Sequence, residues 1–169
     1  MPVDAAEFAT ALRQFAAGVC LLTLQDDIDD VGTTVSSVMS VSARPPLVAV
    51  GLSGDGYPAE LLGDIGRCAL NVLAAEHAIV ASRFASAGRP SARHLLESVP
   101  WARCDGGAIV LSDALVALDC RLERLLPAGD HLLALLGVEG VPVRNEAARP
   151  LLRFRGRYAD ESGRPLPRP

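Results

Sequence analysis

A chain of 169 residues, half of them hydrophobic and only 4% aromatic, suits one ordinary domain cored by Leu, Val and Ala rather than by rings. All 16 basic residues are arginine, which excludes Schiff-base, phosphate-loop and general-base lysine chemistry. A net charge of −4 argues against a general nucleic-acid binder, which needs a basic face.

The start, MPVDAAEFA, lacks the basic and apolar blocks of a secretory signal, and the longest uncharged apolar run, LLALLGV, is far too short to cross a bilayer. A reduced protein of the cytoplasm, away from membranes, is expected. Cys20, Cys68, Cys104 and Cys120 are widely spaced, with no CxxC pair, so no metal site is expected. Cys20, Cys68 and Cys120 sit in apolar runs and read as small buried hydrophobes.

In chain order, residues 4–18 read as a helix: Asp4 caps it, Glu7 is the return half of a capping box, and Gly18 stops it. Phe8, Leu12 and Phe15 fall on one face. A strand at 19–24 and an acidic turn, QDDIDDVG, lead to a stretch rich in hydroxyls, VGTTVSSVMSVSARPPLVAVGL, whose last six residues form a buried strand. Residues 60–66 read as a short helix, 68–73 as a strand and 74–85 as a second helix, followed by a mostly irregular run over 86–101. Residues 114–126 alternate, with Val116, Leu118, Cys120 and Leu122 on one face and Asp119, Arg121 and Glu123 on the other, as in a half-buried antiparallel strand. PAGD turns the chain into a returning strand at 131–141; LLRFRGRY is the last strand and 159–169 a flexible tail.

Six or more strands with short marginal helices and no regular βαβ alternation predict a mainly β fold, a small antiparallel barrel within a single domain spanning 1–169 with its core at about 8–158. No GxGxxG follows a strand, so a Rossmann nucleotide site is not expected.

The hydroxyl stretch is the informative segment. If residues 35–42 are extended, Val35, Met39 and Val41 face one way and Ser36, Ser40 and Ser42 the other; taken alone, such a serine row is the solvent face of an edge strand. Together with FAAGVCLLTL, CALNVLAAEH, ASRFA, ALDCRLE, AGDHLLALLGVE and PLLRFRGRY, however, the stretch resembles, in order and spacing, the flavin reductase-like family. The resemblance runs from about Phe8 to Tyr158 and implies a Greek-key split β-barrel that binds FMN or FAD.

It also implies roles. An isoalloxazine ring has a polar pyrimidine edge and an apolar dimethylbenzene edge, so its site needs donors and acceptors beside aliphatic packing. Thr34, Val35, Ser36, Ser37, Ser40, Val41 and Ser42 correspond to the flavin-contacting segment, and Pro45-Pro46 ends it without a free N–H. Ser53, Arg83, Phe84 and Tyr158 join the cofactor-binding set; by pattern alone, Arg83 and Phe84 read equally well as a helix-surface arginine over a core ring. Arg155 and Arg157 fall where the family contacts nucleotide or a dimer partner. His131, a turn residue by itself, corresponds to the catalytic histidine beside the flavin face where the nicotinamide docks. His77 and His94 read as structural, and Trp101 as a loop anchor.

The chain departs from the family in places. Gly56-Tyr57-Pro58 replaces a Ser-x-Thr that serves the flavin phosphate, Arg44 replaces an acidic residue before the prolines, and Arg153 replaces an aromatic before FRGRY. The lost hydroxyls imply that FAD is accepted at least as well as FMN and that the flavin dissociates readily.

The implied activity is an NAD(P)H:flavin oxidoreductase that passes hydride from NADH or NADPH to FAD or FMN and supplies a flavin-dependent monooxygenase, working as a homodimer. The alternative is a non-catalytic flavin carrier of the same fold; a less favoured third is a flavoenzyme reducing its own organic substrate.

Overall fold

A computed structural model describes residues 3–86 and 91–166. After the helix Ala5–Leu12 (α1), the chain forms the strands Ala17–Gly18 (β1), Cys20–Leu24 (β2), Val31–Val35 (β3), Val38–Ala43 (β4) and Pro46–Ser53 (β5). Helix Tyr57–Ile65 (α2) precedes Arg67–Val72 (β6), and a 3-10 turn at Ala75–His77 opens Ala78–Phe84 (α3). Then come Ala92–Leu95 (α4), Trp101–Arg103 (β7), Ile109–Leu111 (β8), the long hairpin of Val116–Ala128 (β9) and His131–Arg144 (β10), and finally Leu152–Phe154 (β11) and Arg157–Ala159 (β12).

The main sheet has seven strands in the order β3-β2-β6-β9-β10-β5-β4, all pairings antiparallel. β3 and β4 follow each other in sequence yet form its two opposite edges, so Ser36 and Ser37 carry the chain from one edge to the other. This is the mainly β, antiparallel architecture that the pattern predicts, and the split barrel that the resemblance implies.

β2 shows why its sequence is continuously apolar. Leu21 packs with Val19, Leu73, Phe84 and Leu151 on one side, whereas Cys20, Leu22 and Leu24 pack with Val50, Leu52, Leu62 and Leu70 on the other. A strand buried on both faces has no solvent side to alternate with. Each fully buried leucine contributes roughly 1.5–3 kcal/mol, and Leu21, Leu22 and Leu24 are all at 0% exposure. The thiol of Cys20 is pushed up to about 12 by burial, which makes it inert packing.

Several expectations need correction. α1 keeps its Asp4 cap, which accepts from the Ala6 and Glu7 amides at 2.8 Å, but ends at Leu12; Gly18 lies in β1, paired with Leu152, and does not stop the helix. Residues 35–42 are not one extended run. The chain leaves β3 at Val35, and a register shift between Ser40 and Ser42 breaks the alternation, so Val35 is buried while Met39 and Val41 are exposed. Asp119 is buried, because the β7–β8 hairpin covers its face and the Gly106 amide donates to Oδ2 at 2.9 Å. The irregular run over 86–101 contains α4, with residues 87–90 outside the described residues. Trp101 stands in β7, with the Arg103 guanidinium 5.9 Å from its ring centroid. The tail folds back as far as Leu166, whose amide donates to the Tyr158 carbonyl at 2.9 Å; residues 167–169 lie outside the described set.

Candidate functional site

Three backbone hydrogen bonds fix the junction where the small and large sheets meet. Val19 donates to Leu151 at 3.0 Å, Leu151 to Leu73 at 2.9 Å, and Leu73 to Val19 at 2.9 Å. This holds β11 against the start of β2. The following hairpin turns on Arg155 and Gly156, with φ of 49° and 74°, between the paired residues Phe154 and Arg157. Two successive positive φ values are the type I′ geometry that suits a two-residue hairpin. Across that hairpin Arg153 pairs with Tyr158.

Beside this junction lies an open cleft of about 310 Å³ lined by Val19, Thr34, Ser36, Ser82, Arg153 and Tyr158, with Ala85 and Ser86 completing it. β3 brings Thr34, the edge-to-edge crossing brings Ser36, α3 brings Ser82, and the hairpin brings Arg153 and Tyr158. The Thr34 hydroxyl donates to the Ala81 carbonyl at 2.8 Å and the Ser86 hydroxyl to the Ser82 carbonyl at 3.1 Å. Donors for a ligand are therefore the Ser36 hydroxyl, the Ser82–Tyr158 pair and the Arg153 guanidinium. Burial raises the Tyr158 phenol above its ordinary pKa, against the opposing influence of Arg153 and of Ser82. It is a neutral donor at physiological pH.

The sheet register gathers a second group. His131 pairs with Ser53 across β10 and β5, and the Gly51 amide, two residues before Ser53, donates to the Ser37 carbonyl at 2.8 Å. Ser37, Ser53 and His131 thus share one end of the sheet, and Ser37 adjoins Ser36 of the cleft. The exposed His131 ring holds its Nδ1 2.7 Å from Asp130 Oδ1, leaving Nε2 as the outward atom. The bonded histidine draws the Asp130 carboxyl below the usual carboxylate range.

The remaining predicted residues fall elsewhere. Val35 and Phe84 are core residues at 7% and 1% exposure, Arg83 is exposed on α3, and Ser40, Val41 and Ser42 lie along edge strand β4. Arg157 is exposed in β12, and Arg155 donates from Nε to Gln14 Oε1 at 3.2 Å. Of the lining residues outside the predicted set, Ser82 and Arg153 are the polar ones facing a ligand, with the Ser86 hydroxyl already bonded, and Arg153 enters the motif reading only as a departure from the family pattern. Ser82 stands immediately before the Arg-Phe pair, so helical spacing alone could have offered it. Buried His77 is structural: its Nδ1 accepts from the Ala74 amide at 3.1 Å, and its Nε2 lies 3.0 Å from Asp113 Oδ1.

A hydroxyl-lined cleft meeting a sheet end that carries serines and a histidine suits a ligand with both polar edges and an anionic arm. A family model described as "Flavin reductase like domain" matches residues 12–162. The chain belongs to this family. Among its flavin reductase relatives, the NADH-dependent FMN reductase of Streptomyces nodosus subsp. asukaensis is 35% identical, over 90% of this chain and 82% of that one. The reductase subunit of a flavin-dependent monooxygenase from Rhodococcus jostii is 31% identical, over 99% and 84%. The NADH:FAD oxidoreductase of Streptomyces globisporus C-1027, solved in complex with NAD and FAD fragments, superposes with a TM-score of 0.84 at 27% identity, covering 92% of each chain.

The donor chemistry of the site fits a flavin. The cleft's volume is at the small end of small-molecule pockets, suited to part of such a cofactor. Serine and backbone groups beside the aliphatic β5–β10 face suit a ring with one polar and one apolar edge.

Proposed function

We propose that this protein is an NAD(P)H:flavin oxidoreductase that reduces FAD or FMN and supplies the reduced flavin to a partner monooxygenase. The observation that carries the reading is the meeting, at Ser36 and Ser37, of a hydroxyl and guanidinium cleft with the sheet end that bears Ser53 and His131.

The bound flavin would accept a hydride from the reduced nicotinamide, and the protein's share is binding, orientation and electrostatics. Ser36, Ser37 and Ser53 offer the polar contacts, with Thr34 fixed by its bond to α3 so that β3 keeps its place. Asp130 orients His131, so that Nε2 can hold or release a proton at the exposed sheet end. The Ser40–Ser42 segment, Arg83, Phe84 and Tyr158 complete the proposed cofactor-binding set. Flavin is handled as a dissociable substrate, in keeping with a cleft that one chain leaves open.

The proposal includes a homodimer. Met39 and Val41 are exposed on edge strand β4, Phe8 and Leu12 are exposed on α1, which has no buried residue, and Phe15 is exposed just beyond its end. An apolar edge strand left bare invites pairing with other chains, and a second copy would cover it. Among the described residues no helix is long and apolar enough to cross a membrane, and we place the protein in the cytoplasm.

Steady-state oxidation of NADH and of NADPH, each with FMN, FAD and riboflavin, tests the activity. Turnover that scales with added flavin is expected; tight flavin binding without nicotinamide oxidation would identify a carrier instead. Sedimentation at working concentrations tests the dimer, and a monomer that remains active would contradict it.

A further inference from the structure

Two clefts lie along β3, one at its Val31–Gly32 start and one at its Thr34–Ser36 end, and their charges differ. The second, of about 440 Å³, is lined by Asp26, Asp29 and Asp30 together with Tyr57 and Pro58. Its arginine neighbours are already engaged: Arg103 grips Asp30 through two nitrogens at 2.9 and 3.0 Å, and Arg93 Nε lies 2.8 Å from the same carboxylate. The start of α2 is closed to an anion as well. Pro58 has no N–H, the Gly56 and Ala59 amides are bonded within the turn, and the Tyr57 hydroxyl donates to Asp26 at 2.8 Å. A phosphate entering here meets carboxylates and few free donors.

The first cleft has the opposite character. No carboxylate lines it, and its cation is Arg153, which forms no ion pair among the described residues. The Arg153 guanidinium carbon sits 5.1 Å from the Tyr158 ring centroid. Arginine's five N–H donors lie in the plane of the group, so contact with a ring face leaves them available to a ligand. Arginine also matches two phosphate oxygens at once, which a single hydroxyl cannot do.

We propose that Arg153, assisted by Ser36 and Ser82, is the anion-recognition residue of this protein and binds the phosphate ester of its cofactor. The inference rests on the flavin reading above and deepens it. It moves the phosphate contact from the Gly56–Pro58 turn to the β11–β12 hairpin. The shared chemistry is a phosphate monoester or diphosphate, which either flavin or nicotinamide dinucleotide can carry.

The test is equilibrium binding of riboflavin, FMN and FAD by flavin fluorescence quenching, and of NADH by its own fluorescence, to the unaltered protein and to Arg153→Gln and Arg153→Lys. Riboflavin has the ring without phosphate. Arg153→Gln is expected to weaken FMN binding about tenfold or more (roughly 1.4 kcal/mol) while leaving riboflavin unchanged, with Arg153→Lys between. Unchanged riboflavin binding also reports an intact fold. In the unaltered protein, rising salt is expected to weaken FMN but not riboflavin, a measurement that needs no variant. FMN and riboflavin weakening together, or neither weakening with NADH also unchanged, would overturn the proposal. Loss confined to NADH would keep the anion site and assign it to the dinucleotide. If the unaltered protein binds no flavin, the flavin reading itself falls and the NADH arm alone decides Arg153: a tenfold loss keeps the site, no change removes it.

Discussion

Arg153 and Tyr158 are cross-strand partners on the β11–β12 hairpin, with the guanidinium carbon 5.1 Å from the ring centroid. Their alignment depends on the turn two residues away, where Gly156 adopts a φ of 74°. A Cβ in that left-handed region costs about 1–2 kcal/mol. Gly156→Ala is therefore expected to lower stability by about that amount and to loosen the cleft. Thermal unfolding reads the first effect, and FMN titration the second.

The His131 side chain is exposed and is held by the carboxylate of its neighbour Asp130. Removing an exposed ring changes stability by no more than about 0.5 kcal/mol. His131→Ala should therefore keep its unfolding temperature and flavin affinity while nicotinamide-dependent turnover falls about a hundredfold or more, the range of a lost acid–base group. Collapse of flavin affinity with an unchanged hydride step would remove the assigned role.

Asp30 has a side chain at 0% exposure that receives both Arg93 and Arg103 and so ties the β2–β3 turn to α4 and β7. Burial alone would raise its pKa, but the hydrogen bonds and charges of Arg103 and Arg93 outweigh it and hold the carboxyl below its ordinary value. A carboxylate with a lowered folded pKa stabilises fully above the unfolded value of about 3.9 and loses that contribution as pH falls through the folded pKa. Asp30→Asn should cost roughly 2–4 kcal/mol near neutral pH, less than a fully buried pair because both arginines are partly exposed. The gap between variant and unaltered protein should narrow below about pH 4. Urea unfolding across that range checks both statements.

Gly32 lies where β3 meets α3, and an added Cβ would stand 2.5 Å from Phe84 Cε1 and 2.8 Å from Cδ1. The Phe84 ring is at 1% exposure and cannot swing aside freely. Gly32→Ala should therefore destabilise by about 1–3 kcal/mol, the range of overpacking. A stability equal to that of the unaltered protein would show that α3 can shift.

The sequence made β2, β5, β6 and the β9–β10 hairpin legible, because apolar runs and the turn at Gly129 act locally. It misled wherever distant segments decide. Gly18 looks like a helix stop only until β11 arrives to pair with it. Asp119 looks like a surface residue until the β7–β8 hairpin covers it. Thr34 and Ser36 line one cleft with Ser82, Arg153 and Tyr158, but the last three arrive on α3 and on the β11–β12 hairpin, docked by the Thr34–Ala81 bond and the Val19–Leu73–Leu151 junction, which no local pattern announces. The serine row likewise hid a break, since nothing in Val35–Ser36–Ser37 says that the two halves belong to opposite sheet edges.

That break has a kinetic consequence. Ser36 and Ser37 are exposed and form the covalent link between two edges that share no ladder hydrogen bonds. A ligand held there leans on both margins at once and acts as a brace, so the empty protein should open along that seam more readily than the filled one. Escape of the ligand and breathing of the seam are then one motion. The rate at which reduced flavin is handed on would be set by the same seam that ties β3 to β4.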